Sequence, residues 1–242
     1  MTGSCSIIIR AYNEEKYIGR LLEGIQRQTL KDVDVILVDS GSTDSTVSIA
    51  ESYGARVVRI LSAEFTFGRS LNYGIKEAKR EFIVIASAHV YPVYPDWLET
   101  LLHPFQDDNV ALSYGKQRGP EFAKFSEQQI FHQWYPDLSK LNQETVFCNN
   151  ANAAIRKSLW EENNYDETLT GLEDLAWAKW AKEREHSIAY VAEAEIIHVH
   201  NETPRGVYNR YRREAMALRR IYPEAHFNFY DFLRLTITNI MS

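Results

Sequence analysis

Cysteine is almost missing from this chain of 242 residues: only Cys5 and Cys148 occur, far apart in sequence. That excludes a disulfide framework and a paired-cysteine metal site, and it suits a reducing compartment. Basic charge is not in excess either. With 27 Lys and Arg against 33 Asp and Glu, the net charge of −6 leaves no overall field to release counterions from a nucleic acid. Long apolar runs are missing too. None approaches the ~18 residues of a membrane-spanning helix, and Met1-Thr2-Gly3-Ser4 carries no basic segment leading into an apolar one. The expectation is a cytoplasmic protein, neither exported through such a signal nor anchored by a span. No repeat and no low-complexity tract is present. What is there, 45% hydrophobic and 25% charged residues, is ordinary for a globular chain with a sizeable core.

Short β-branched runs at 6–9, 33–38, 56–60 and 82–86 alternate with segments whose apolar residues recur at helical spacing, such as Tyr17, Ile18, Leu21, Leu22 and Ile25. Crossovers of that length predict a mostly parallel central sheet with helices on both faces. Polar loops at successive strand ends then gather on one edge, where open α/β sheets bind ligands. Ser42 or Thr43 is placed to cap the helix after the second strand. The fourth run ends in Ser87-Ala88-His89-Val90-Tyr91-Pro92, read as a strand closed by a proline whose continuation does not pair. The second half is less regular. It reads as a helix at 94–105, a strand at 110–114 with the loop Gly115-Lys116-Gln117 after it, and an aromatic amphipathic stretch at 125–141. A short helix near Trp160, a helix at 175–184 and strands at 188–191 and 195–200 follow, and from Pro204 the chain becomes a basic, aromatic helical extension.

The loops carry specific chemistry. Arg10-Ala11-Tyr12-Asn13-Glu14 offers an amide, a carboxylate and backbone donors that suit a base edge and a ribose diol, although Asn13 also suits a helix cap. Asp39-Ser40-Gly41-Ser42-Thr43-Asp44 reads as a nucleotide loop or as ordinary turn chemistry. Gly68-Arg69-Ser70-Leu71-Asn72 places a guanidinium, suited to phosphate oxygens, at a helix start where it equally suits solvent. Glu173-Asp174 opens a helix whose dipole favours acids, and a carboxylate of this kind also suits a general base. Gln117, Asn150 and Asn152 carry amides that suit sugar hydroxyls or turns. Trp134 and Trp177 suit sugar stacking or plain packing. His198 and His200, two apart on a strand, share a face.

In this order and at these spacings the motifs resemble those of the family 2 glycosyltransferases, nucleotide-sugar-dependent enzymes of the GT-A fold, in their bacterial surface-polysaccharide branch. The resemblance covers 6–213. It implies an α/β nucleotide-diphospho-sugar transferase domain over 1–203, with 1–114 taking the donor and 115–203 the acceptor, and a C-terminal helical extension at 204–242. It implies that Ala11, Tyr12, Asn13 and Glu14, with Asp39, Gly41 and Ser42, hold the nucleobase and ribose, and that Arg69 and Asn72 help hold the diphosphate. Gln117, Asn150, Asn152 and Trp177 would line the sugar and acceptor pockets. Asp174, with Glu173 beside it, would be the general base of an inverting hexosyl transfer to a glycan or lipid-linked glycan.

One departure stands out, because the family's aspartate-rich metal motif is replaced here by Ser87, Ala88 and His89. Mn²⁺ or Mg²⁺ would then be held by His89 with His198 and His200. The alternative is metal-free transfer with Arg69, Arg205 or protonated histidines as the counter-charge. The arginines and aromatics of 204–235 imply contact with a membrane surface or partner subunit, or ordinary packing on the domain. A sugar-1-phosphate nucleotidyltransferase is disfavoured because no glycine-rich loop follows Ile9. A non-catalytic sugar-nucleotide-binding or scaffolding module, suggested by the altered metal motif, is opposed by Asp174 and the histidine pair.

Overall fold

Three isoleucines set the layers. In β1 (Cys5–Ala11), Ile7 and Ile9 enter one core and Ile8 the other, and all three are fully buried. A strand buried on both faces is an unbroken apolar run, which is why the sequence shows one here. The computed structural model describes residues 3–121, 123, 125–199, 203–224 and 228–241. In it β2 (Val33–Asp39), β3 (Arg56–Arg59) and β4 (Phe82–Ser87) lie parallel to β1 in the order β3-β2-β1-β4. Helices α1 (Ile18–Gln26) and α2 (Thr46–Ser52) cover one face, and α3 (Phe67–Glu77) covers the other. The winding direction thus reverses between β1 and β4, and their carboxyl ends open a crevice. There the register sets Arg10 opposite Ser87.

The chain then departs from the expected pattern. Instead of ending unpaired after Ser87, it turns through Ala88 and His89 into β5 (Val90–Pro92), an edge strand antiparallel to β8 (Ser187–His198). Pro92 is tolerated because it ends an edge strand. After α4 (Trp97–Leu102), β6 runs over Val110–Arg118, so Gly115 and Gln117 lie within a strand and not in a loop. A Cβ at position 115 would collide with the Ala194 carbonyl, so the glycine serves close approach of β6 to β8 and not a turn. Helix α5 (Phe125–Trp134) precedes β7 (Asn152–Arg156), an antiparallel strand between β4 and β6 that alanine-rich sequence conceals. The segments expected as two strands form the single β8. The full order is β3-β2-β1-β4-β7-β6-β8-β5, with four parallel and three antiparallel pairings. Helices α6 (Lys157–Glu162), α7 (Glu173–Lys182), α8 (Pro204–Ile221) and α9 (Phe229–Met241) complete the chain. No helix among the described residues is long and apolar enough to cross a membrane.

Three polar side chains expected at ligands instead hold this frame together. Asn72 donates to the Tyr165 carbonyl (2.9 Å) and Glu167 (3.0 Å), while its oxygen accepts the Trp160 indole N–H (3.0 Å) and the Tyr165 amide (3.1 Å). Its hydrogen-bonding capacity is filled, which leaves none for a diphosphate. Asn152, fully buried, accepts the Trp97 indole N–H and donates to the Lys116 and Ala194 carbonyls, tying β7 to β6 and β8. Trp177, 2% exposed, donates to the Asn163 carbonyl and packs against Tyr165 and Trp180, so it offers no face to a sugar.

The Asn72 bracket sets an expectation. Asn72→Ala strands two buried donors without an acceptor and should cost about 3 kcal/mol in urea denaturation. A loss below about 1 kcal/mol with weakened nucleotide binding would return Asn72 to the ligand.

Candidate active site

The crevice between β1 and β4 deepens into a cavity of about 560 Å³. Two loops interlock at its rim. Asn13, held in the left-handed region at φ 55°, accepts the Thr43 amide on Oδ1 (2.8 Å) and donates its own amide to Ser42 Oγ (2.9 Å). Ser42 and Thr43 therefore tie loop to loop and do not cap α2, whose first turn follows Ser45. Asp39, 2% exposed, accepts the amides of Gly41 (3.1 Å) and Ser42 (3.2 Å), and Gly41 takes φ 95°, which suits glycine. Its carboxylate thus shapes its own loop, and among the rim residues Asn13 and Glu14 border the cavity. Ala11 is buried at the end of β1, and Tyr12 stands 57% exposed beside it.

Two histidines meet on the far wall. The rings of His89 and His198 stack with centroids 5.1 Å apart and planes 25° off parallel. Hydrogen bonds fix both tautomers. His89 Nδ1 lies 2.9 Å from the Glu14 carboxylate, an acceptor, so Nδ1 carries the proton. In the neutral ring Nε2 then accepts from the Ser87 hydroxyl at 3.0 Å. For His198 the relay starts at the backbone: the Ala151 amide donates to Asn149 Oδ1, so the Gln117 NH₂ must face that oxygen, and Gln117 Oε1 must face His198 Nδ1 at 2.8 Å. Gln117 is 2% exposed and does not border the cavity; it orients one residue that does. An Nδ1–H held by an oxygen is the orientation that metal-binding histidines adopt, and at His89 the Ser87 hydroxyl on Nε2 has to turn away before an ion can bind there. Ala88, between Ser87 and His89 in the chain, is buried and does not border the cavity. His200 lies outside the described residues, and among those described no group of three or more His, Cys, Asp or Glu converges on one point.

The opposite wall is acidic. Leu172, at φ 57°, turns the chain sharply into α7 and presents Glu173 and Asp174 in its first turn. Asp174 Oδ2 accepts the Asn150 amide (3.0 Å) and Oδ1 the Leu175 amide (2.8 Å). Burial, and then the neighbouring Glu173 carboxylate, push Asp174 up to about 7 against these two donors. Glu173 Oε1 takes Arg10 Nη1 at 2.9 Å, and Arg10 also donates to the Phe67 carbonyl. Asn150, at the cavity, is 3% exposed; its Nδ2 reaches Glu173, and its Oδ1 has no partner among the described residues.

Arg69 is elsewhere. It pairs with Glu167 at 2.7 Å and donates to the Glu64 carbonyl, so its guanidinium is engaged with its own surroundings away from the cavity wall. The cavity draws its cations from Arg10, Lys16, Arg210 and Arg213; the sequence suggested no site role for Arg10 or Lys16, and it put Arg210 and Arg213 with the other arginines of 204–235 on a membrane or partner surface. For Arg10 the signal was present as a charge closing an apolar strand. For Arg210 and Arg213 it was absent, since only the return of α8 over the strand ends brings them there.

Residues 6–163 match the model of the family described as Glycosyl transferase family 2. Over 222 residues the chain is 30% identical to the O-antigen chain rhamnosyltransferase WbaN of Salmonella anatum, covering 86% of this chain and 70% of that protein. The crystal structure of S. aureus TarS, residues 1–349, in complex with UDP is similar with a TM-score of 0.67 at 20% identity, covering 93% of this chain and 67% of that one. The mannosyltransferase PcManGT from Pyrobaculum calidifontis, in complex with GDP-Man and Mn²⁺, gives 0.72 at 19% identity over 91% and 63%. The solved transferases share the fold, and the family match spans β1 to α6: the chain belongs to Glycosyl transferase family 2 and is a glycosyltransferase of GT-A-like fold.

Proposed function

We propose that the protein is an inverting transferase that moves a sugar from a nucleotide-sugar donor to a glycan or lipid-linked glycan, with Asp174 as general base. The observation that carries this is Asp174 itself: 8% exposed, at the cavity, and raised to about 7 by burial and Glu173. A base whose affinity for a proton is matched to neutral pH both ionises and accepts effectively. The donor lies across 1–114, its base and ribose on the interlocked loops of Asn13 and Asp39, and the acceptor is held by 115–203. As the acceptor oxygen bonds to the anomeric carbon, its proton passes to Asp174, and the anomeric C–O bond to the diphosphate breaks on the opposite side. Arg10 neutralises Glu173 and so lets Asp174 ionise beside it.

Two imidazoles with Nδ1 pinned by Glu14 and Gln117 fit a divalent cation, and we assign Mn²⁺ or Mg²⁺ to His89 and His198, with His200 as a further candidate. Such an ion, when bound, offsets negative charge on the departing diphosphate. The exposed aromatic residues of α8 and α9, with Tyr208 at 67%, Phe229 at 73% and Tyr230 at 73%, are assigned, with the arginines of α8 that do not line the cavity, to an anionic membrane surface, and the enzyme with them to the inner face of the membrane.

Three outcomes are expected. Asp174→Asn should abolish transfer and keep nucleotide affinity, and the wild-type kcat/KM should rise with pH through an apparent value near 7 belonging to the Glu173–Asp174 pair. Because Asp174 is raised in the fold, it stabilises the protein at low pH and loses that contribution as pH climbs towards 7. The stability difference between Asp174→Asn and wild type should therefore move in favour of the variant by on the order of 3 kcal/mol between pH 4 and pH 8. A pH-independent difference would contradict the assignment. Next, transfer should require Mn²⁺ or Mg²⁺ and fall at least tenfold, about 1.4 kcal/mol, in His89→Ala and His198→Ala; full activity in EDTA would remove the metal and leave the transferase. Last, the protein should co-float with anionic but not zwitterionic vesicles, and absence of co-flotation would remove the membrane assignment.

A further inference from the structure

The charged groups of the cavity do not cancel locally. Arg10 is paired with Glu173 at 2.9 Å, Arg210 with Glu214 at 3.6 Å, and Glu14 holds His89 at 2.9 Å. Two cations at the wall, Lys16 and Arg213, have no carboxylate within ion-pair reach among the described residues. Arg213 comes from α8, outside the family match at 6–163, and the backbone there is fixed over the site: Thr170 Oγ1 donates to the Arg213 carbonyl at 2.8 Å, and Arg220 donates to the Thr168 carbonyl at 2.6 Å. Arg213 and Arg10 both lie over the Phe67 ring, their guanidinium carbons 5.4 and 5.1 Å from its centroid. An aromatic face steers a guanidinium without using up its donors, and five N–H groups in a planar fork match phosphate oxygens.

Resting on the transferase reading above, we propose that Arg213 is a phosphate-binding residue, so that α8 is a wall of the active site and not an appendage to it. Its phosphate is either the donor's diphosphate or a phosphate group carried by the acceptor. The chemistry is the same, and binding measurements separate the two.

The test is calorimetry on the full chain, wild type, Arg213→Ala and Arg213→Lys, with UDP, GDP and dTDP, with the corresponding nucleosides, and with inorganic pyrophosphate. Alanine suits a helix, and unchanged circular dichroism and Tm establish that α8 persists. If Arg213 holds the donor diphosphate, Arg213→Ala weakens the preferred nucleoside diphosphate at least tenfold, leaves the nucleoside unchanged, and Arg213→Lys recovers part of the loss. If it holds an acceptor phosphate, pyrophosphate still binds wild type already saturated with nucleoside diphosphate, and Arg213→Ala loses that second event. A variant that binds every probe as wild type does overturns the proposal and leaves the transferase standing. Wild type that binds none of the nucleotides overturns the transferase reading, and the proposal with it.

Discussion

Two carboxylates held out of water in one helical turn cannot both be charged without compensation, and much of the site is arranged around that constraint. Glu173 and Asp174 begin α7 because Leu172 takes a left-handed backbone that bulky residues avoid, a strain consistent with a position fixed for function. The compensation comes from distant parts of the chain. Arg10 closes β1 and reaches Glu173, while Asn150, just ahead of β7, gives its amide to Asp174. The acid pair therefore depends on the pairing of β1, β4 and β7, and the sheet is what brings the parts of the site together.

The opposite wall follows similar logic with imidazoles. Buried amides are oriented by backbone groups whose donor or acceptor character is fixed, and they pass that orientation to a histidine. Ala151, Asn149, Gln117 and His198 form such a chain, and Glu14 does the same for His89 in one step. Both rings are thereby placed in one tautomer before any ligand arrives, which is preorganisation in the sense that no ring reorientation remains to be made on binding.

The first half of the fold was legible because buried parallel strands are rich in isoleucine and valine and end in loops of Ser, Gly, Asn and Asp. The second half was not. Gly115 has the composition of a turn but permits close strand approach, and β7 is an alanine strand whose pairing comes from its neighbours. Site residues divide along the same line. Glu173, Asp174, Asn150, His89 and His198 do meet at one cavity, while Asn72, Asn152 and Trp177 belong to the frame. A buried asparagine that brackets two strands and one that reads a sugar have the same letter and the same flanking residues; burial and filled hydrogen bonds tell them apart. Arg213 carried no local signal, since it reaches the cavity only through the path of α8.

The central claim is that one ionised carboxylate faces the acceptor while the diphosphate leaves from the other side. The most direct measurement is the stereochemistry of the product. With a sugar nucleotide of known anomeric configuration, proton NMR of the freshly transferred sugar should show the opposite configuration at the anomeric centre, as a single displacement at that carbon requires. Retained configuration would contradict the account, because it demands either a second displacement or attack from the face the diphosphate leaves, and a base on the opposite face provides neither.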